Sequence, residues 1–495
     1  MNTNNRITNN TVTGSPRITD FTPYMNRENR VMYADSYKYS HAFQYPTMSS
    51  MFDYMSSRGG VYPATIFVGG QIISKKFTAP IEQWEVDEAF ADAQAHGVSF
   101  DVEGWDYIVQ TLKGKIPVRI KSVEEGKLIP VNMVLMTFES TDPKVAWIAG
   151  WMETVYMKVW YPTTVATKSY FVREMLEEFG SPEWAQFAFH NFGDRSSSSV
   201  ESAAIGGFAH SSIFMGTDNF NSLRFCRNMY GMKNIASYSV FATEHSTTTA
   251  NADGSTKKEI VFIERMLIEN PDAPIMSFVA DSYDVFNFTD KVTAPSSWIR
   301  ETIESRPNQK FIIRPDSGKA KKVIKQMIEI MDSNGVFDIE IMGQDGIMRK
   351  ASSNYGILWG DGITPKTIKK ILKMVIKMGY AAENMVFGSG GDIMQNLNRD
   401  SQRFAIKCSS ITRPDGTEQD VFKNPITDPS KASKKGRITT VYDVISKQYR
   451  VDRIENSDGN GVFGGNEIDA LVTVFENGAM VREFTMDEIR KNTRG

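Results

Sequence analysis

The chain has 495 residues, with 56 Lys and Arg against 59 Asp and Glu, a net charge of −3, and 41% hydrophobic residues. This balance argues against nucleic acid or an anionic membrane surface as the main partner. Two cysteines, Cys226 and Cys408, give neither a disulfide framework nor metal-site spacing, which suits a cytoplasmic protein. No leader pattern is visible at the N-terminus, and no apolar run approaches the ~20 residues of a membrane span.

Residues 1–30 are rich in Asn and Thr and poor in apolar side chains, and read as a flexible tail. Residues 31–180 read as the N-terminal part of a peripheral α+β domain. Within it, Val61 to Ala79 alternates β-branched and aromatic stretches with Gly and Pro, which predicts strands. Trp147 to Trp160 repeats large apolar residues at helical spacing, and a second helix is predicted after Pro162.

Over 181–410 the pattern changes. Short apolar runs end abruptly in polar or glycine-rich turns: FAFHNFGDR, SYSVFATEHS, PIMSFVADSYD, KFIIRPDSGK, GILWGDGI and NMVFGSGG. Amphipathic helices follow several of them. Thr364 caps one, Pro365 fits its first turn, and Gly379 stops it; another is predicted from about Ala320 to Met331. Buried strands alternating with helices predict an α/β fold, a closed β/α barrel with its chemistry at the C-terminal strand ends. Residues 411–495 read as a return to the β-rich peripheral domain.

The polar residues cluster at those strand ends. In IIRPDSG, Arg314 can hold a phosphate and Asp316 vicinal hydroxyls, or the two can pair with each other. GDG places Asp361 between glycines, beside Gly360. FGSGGD supplies Gly388, Ser389, Gly390 and Gly391, whose N–H groups can cradle phosphate. Arg399, Lys407, Lys423, Lys431, Lys434, Lys435 and Arg437 form a basic run that suits a wall over a phosphorylated substrate. SVFATEHSTTTA places His245 after an acid; read alone, it is a surface loop with a capping glutamate. No GxxxxGK[ST], HExxH or CxxC occurs.

In order, ADSYKYSHAFQYP (34–46), WYPTTVATKS (160–169), FHNFGDRSSSSVESAAIGGFAH (189–210), GTDNF (216–220), EHST (244–247), DSYD (281–284), IIRPDSG (312–318), GDG (360–362), FGSGG (387–391) and DPSKASKKGR (428–437) resemble the nicotinamide phosphoribosyltransferases, of the type II phosphoribosyltransferase class. The resemblance implies a type II phosphoribosyltransferase barrel and a homodimer with shared active sites. Nicotinamide is implied to stack between Phe192 and the Tyr37 of a second subunit, near Asp35, Ser239 and Ser277. Arg195 is implied to donate to the carboxamide, and Asp218 to accept from it and repel nicotinate. Asp316, Asp361 and Gly360 are implied to hold the ribose of phosphoribosyl pyrophosphate. Arg314, Gly390, Gly391 and Arg399 are implied to hold its phosphates, with Arg58, Lys407, Lys423 and Lys431 from the second subunit. His245 matches a histidine phosphorylated by the co-substrate ATP, with Asp281 orienting it, and Mg²⁺ is implied at the pyrophosphate. Asp194, Ala405 and Asp392 depart from the family pattern. A nicotinate-specific enzyme and a silent dimeric binding protein remain alternatives on this fold; Asp218 argues against the first, and His245, Arg314, Asp316 and Asp361 together argue against the second.

Overall fold

A computed structural model describes residues 28–306, 308–427 and 432–494. Most of the expected tail lies outside them, but Arg30 at its end is bound to Glu85 at 2.6 Å.

Six strands form one wholly parallel sheet: β1 (Phe189–Asn191), β2 (Phe241–Ala242), β3 (Ile275–Val279), β4 (Lys310–Arg314), β5 (Tyr355–Trp359) and β6 (Met385–Ser389). They correspond one for one to the six apolar runs. Their spatial order is β1-β6-β5-β4-β3-β2, so neighbours in space are neighbours in sequence except for the β1–β6 pair. That order curls the sheet. Its two edges are joined by isolated parallel bridges, Asn191 to Thr217 and Gly216 to Tyr238, with Tyr238 just ahead of β2. β5 is buried along its length, as a strand covered on both faces must be. The helix Pro365–Lys377 has Pro365 in its first turn and a Thr364 cap, and buries Ile368, Ile371, Leu372 and Val375. Helix Ala320–Ser333 packs beside it.

The peripheral domain is built on a seven-stranded antiparallel sheet. It takes Ser50–Ser57, Val118–Val123 and Val134–Ser140 from the front of the chain, and Phe404–Thr412, Glu418–Asp420, Leu471–Glu476 and Ala479–Met480 from the back. The chain therefore re-enters this sheet at Phe404. The strands expected across Val61–Ala79 reduce to Ala64–Ile66, and Gly70–Lys76 is a helix. The cause lies far along the chain. The buried carboxylate of Glu125 accepts from the N–H groups of Gly69 at 3.0 Å and Gln71 at 2.8 Å, satisfying donors that a helix start leaves open.

Within the peripheral domain Asp53 is 1% exposed, and its Oδ1 lacks a hydrogen-bond partner. Burial pushes its carboxyl up to about 7, against the pull of Lys38 and Lys407 and with Glu153 adding to it; the Cys408 thiol also faces it. A carboxyl raised in the folded state destabilises the fold when it ionises, so its penalty is absent at low pH and grows as pH rises through the folded value. The Tm of Asp53→Asn relative to the parent is expected to be more favourable at pH 8 than at pH 5. Equal differences at both pH values, by calorimetry, would show that folding does not perturb this group.

Candidate active site

The loops at the C-terminal ends of the barrel strands hold Phe192, Arg195, Asp218, His245, Asp316 and Asp361. Phe192 directly follows β1, and its N–H donates to the Ser389 carbonyl of β6 at 2.8 Å. Its ring lies against Gly388: a Cβ there would fall 1.9 Å from Phe192 Cε2. A Cβ at Gly360 would stand 3.7 Å from the same ring atom and 3.4 Å from Asp316 Oδ1. The ring, the Asp316 carboxylate and the bare backbone of β5 and β6 therefore border one space. Asp361 follows, exposed, with its carbonyl bound by Trp359 Nε1 at 2.6 Å.

Asp218 sits at the end of the bridging segment. Its N–H donates to the Asn191 carbonyl at 2.9 Å, and Ser239 Oγ donates to its Oδ1 at 2.7 Å. It is exposed in the single chain. Ser277, on β3, is 1% exposed with an unpartnered Oγ. Arg195 is exposed on the turn Asp194–Ser196, beside Asp194.

Arg314 does not pair with Asp316. Its Nη2 donates to the Thr243 carbonyl at 2.5 Å, on the loop that leads to His245. Glu244 does cap the helix His245–Ala252, as the plain loop reading expects. The histidine also has a specific partner: its Nε2 stands 3.0 Å from Asp281 Oδ1, with the side chains 47% and 6% exposed. Orientation through Nε2 leaves Nδ1 open to solvent-side chemistry.

Two groups behind this layer were not legible in the sequence. His190, on β1, projects toward Gly216, where a Cβ would fall 2.7 Å from its ring; burial holds its imidazole below the ordinary histidine range, with Asp218 opposing. Glu259, on helix Thr256–Glu269, is fully buried, with the Ser282 and Thr256 hydroxyls facing its carboxylate. Burial raises its pKa, Asp281 adds to the rise, and the Ser282 and Thr256 hydroxyls and His245 oppose it. In sequence Glu259 reads as one more charge on a solvated helix face.

The departure at Asp392 has a structural counterpart. Its carboxylate is 2.7 Å from Lys168 Nζ, and Asn396 Nδ2 donates to it at 2.8 Å. Lys168 is buried and Asp392 largely so, at 8% and 11% side-chain exposure.

The remaining predicted residues do not reach this space within one chain. Tyr37 is 53% exposed, and its ring neighbours are His41 at 5.2 Å and Lys38 Nζ at 5.8 Å, not Phe192. Asp35 accepts from Thr154 Oγ1 at 3.1 Å. Arg58 lies beside Tyr54 and Lys434, and Lys407 is bound to Glu153 at 3.2 Å. Lys423 is exposed, its backbone tied to Ser433. Arg399 is exposed and pairs with its neighbour Asp400 at 3.1 Å. Lys431 lies outside the described residues.

Residues 187–458 match the nicotinate phosphoribosyltransferase (NAPRTase) family, and residues 29–120 match the N-terminal domain of nicotinamide phosphoribosyltransferase. A nicotinamide phosphoribosyltransferase of Xanthomonas campestris pv. campestris (strain 8004) is 40% identical over 473 residues, covering 94% of this chain and 97% of that one. One of Mycoplasma pneumoniae (strain ATCC 29342) is 28% identical, covering 81% of this chain and 94% of its own. The fold resembles the nicotinate-nucleotide pyrophosphorylase of Pyrococcus furiosus, with a TM-score of 0.57, 14% identity and 93% of each chain covered. It also resembles human nicotinic acid phosphoribosyltransferase, with a TM-score of 0.54, 11% identity, and 93% of this chain and 92% of that one covered. With matches that run through both the barrel and the N-terminal domain, the chain belongs to the nicotinamide phosphoribosyltransferases, within the nicotinate phosphoribosyltransferase family.

Proposed function

We propose that the protein makes nicotinamide mononucleotide and pyrophosphate from nicotinamide and phosphoribosyl pyrophosphate, with ATP hydrolysis coupled through phosphorylation of His245. The observation that carries this reading is the meeting of an aromatic face, Phe192, with Asp316 and the glycine turns of β5 and β6 at one barrel end. The ring gives a flat pyridine its stacking surface. Asp316 and Asp361 accept from ribose hydroxyls, and Arg314 and the Gly390–Gly391 turn receive phosphate.

In this reading the ribosyl carbon loses pyrophosphate with oxocarbenium character as the ring nitrogen attacks. A neutral pyridine nitrogen needs no general base, so catalysis rests on positioning and on stabilising the leaving group. Among the described residues no group of three or more His, Cys, Asp or Glu side chains could hold a metal ion; in this reading Mg²⁺ is held mainly through the substrate's phosphates. When bound there, Mg²⁺ supplies charge neutralisation at the pyrophosphate. For the ATP step, Asp281 accepts a hydrogen bond from Nε2–H and leaves Nδ1 as the nucleophile: the new N–P bond forms to the γ-phosphorus as the bond to the ADP oxygen breaks, and water later cleaves the N–P bond.

The reading includes a cytoplasmic homodimer with shared active sites. Its shared sites are supported by the exposure of Tyr37 and by the placement of Lys407 on the peripheral sheet, with Arg58 and Lys423 just beyond strands of that sheet. Among the described residues no helix is long and apolar enough to cross a membrane. A product assay with phosphoribosyl pyrophosphate and Mg²⁺, comparing nicotinamide with nicotinate, each with and without ATP, tests the reading. Formation of nicotinamide mononucleotide, raised by ATP, is expected; nicotinate mononucleotide as the main product would overturn it.

The contact of Phe192 with Gly388 gives a further expected result. A methyl group on Gly388 must displace the ring, because 1.9 Å is far inside van der Waals contact. Misplacing a reacting partner by ~1 Å costs on the order of 10²-fold in rate. Gly388→Ala is therefore expected to lower kcat/KM for nicotinamide by about that factor. An unchanged kcat/KM would show that the ring position is not needed.

A further inference from the structure

We propose that Lys168 is a positioning residue that holds the Gly390–Asp392 turn and masks the Asp392 carboxylate from the phosphate bound there. The proposal rests on the reading of that turn as a phosphate site.

Lys168 projects from helix Trp160–Glu177, the long helix behind the barrel opening, and the surrounding stretch Thr163 to Ser169 is buried. Its ammonium reaches the turn twice. Nζ donates to the Asp392 carbonyl at 2.6 Å and lies 2.7 Å from Asp392 Oδ2. The first contact fixes the backbone of the turn; the second neutralises the acid. Asn396 takes the other carboxylate oxygen at 2.8 Å.

This arrangement answers an electrostatic problem set by the sequence. The turn places a carboxylate next in the chain after Gly390 and Gly391, and two like charges in a partly buried site repel far more strongly than they do in water. An unpaired Asp392 would oppose any phosphate on those N–H groups. The paired Lys168 brings the local charge of the two side chains to zero. The same turn also carries Met394, whose Cγ would lie 2.1 Å from a Cβ on Gly193, so a shift of the turn is transmitted to the loop that holds Phe192.

The test uses the full-length protein and steady-state kinetics with phosphoribosyl pyrophosphate varied at saturating nicotinamide. Lys168→Met leaves Asp392 unmasked and is expected to raise KM for phosphoribosyl pyrophosphate roughly ten- to hundredfold, with a smaller change in kcat. The rise should shrink as salt increases, because an unmasked charge is screened; a merely structural defect would not show that dependence. Lys168→Met with Asp392→Asn removes both charges and is expected to restore KM to within about threefold of the parent, since a neutral pair can replace a buried ion pair. If Lys168→Met does not yield folded protein, Lys168→Gln carries the same expectation, because it can donate to the carbonyl without supplying charge. Gly391→Asp separates this proposal from the reading beneath it. A KM unchanged in Gly391→Asp shows that the turn does not hold phosphate, and both fall. A KM raised by Gly391→Asp but not by either Lys168 variant overturns the role of Lys168 alone, as does a raised KM that Asp392→Asn fails to rescue.

Discussion

Asp218→Asn is expected to collapse the preference for nicotinamide over nicotinate. Asp218 is held at both ends: its N–H is bound to the Asn191 carbonyl at 2.9 Å, and Oδ1 accepts from Ser239 Oγ at 2.7 Å. In the proposed reading the other carboxylate oxygen faces the ligand. Toward a carboxamide it accepts a charge-assisted hydrogen bond; toward a carboxylate it presents a like charge. The asparagine side chain keeps the shape and can keep the Ser239 contact, but its NH₂ can donate to nicotinate and its oxygen can still accept from nicotinamide. Exchanging a hydrogen bond to a charged acceptor, worth about 1.5–3 kcal/mol, for one to a neutral acceptor, worth about 0.5–1.5 kcal/mol, should lower kcat/KM for nicotinamide roughly 5- to 10-fold. Relief of the repulsion should raise kcat/KM for nicotinate at the same time. The ratio of the two is the measurement, and a ratio equal to the parent's would remove Asp218 as the selector.

The barrel was readable because its strands, the short edge strand Phe241–Ala242 apart, are covered on both faces. Each therefore appears as a continuous apolar run, cut off where the chain turns polar at the site. Tyr355–Trp359 followed by Gly360 and Asp361 is such a run, and so is Lys310–Arg314 followed by Asp316. What escaped was set by contacts between distant residues. The helix Gly70–Lys76 looks like strand until Glu125 is placed at its start. The hairpin of Ile339–Met342 with Met348–Ala351, inserted ahead of β5, has half-exposed strands and little apolar signature. Asp392 reads as a stray charge in a phosphate turn, and only the fold brings Lys168 to it. For the site itself, the motif order in the sequence pointed to residues that the fold sets on the strand-end loops, while local patterns alone left Arg314 and Asp316 open between a salt bridge and ligand contacts. The Arg314 contact with Thr243 removes the salt bridge and ties this arginine to the His245 loop instead.

That tie bears on the outcome for His245→Ala. Incubation of the parent with γ-labelled ATP is expected to leave acid-labile, base-stable label on the protein, the signature of a phosphorus–nitrogen bond. His245→Ala should abolish the label and the ATPase activity together. Helix His245–Ala252 keeps its start, because the Glu244 cap and its Thr247 partner do not involve the imidazole. Asp281 loses the partner at 3.0 Å but stays where β3 places it, just after Val279. Ribosyl transfer in this reading uses Arg314, Asp316, Asp361 and the stacking ring, none of which the substitution removes. Nucleotide synthesis should therefore persist at a low rate without ATP, and the ATP-driven shift toward product should vanish. Full ATP stimulation in the variant would return His245 to a capped surface helix with no chemical role. Total loss of synthesis in a folded, dimeric variant would place the imidazole in the transfer step itself, and would point to its link through the Thr243 loop to Arg314 as the route.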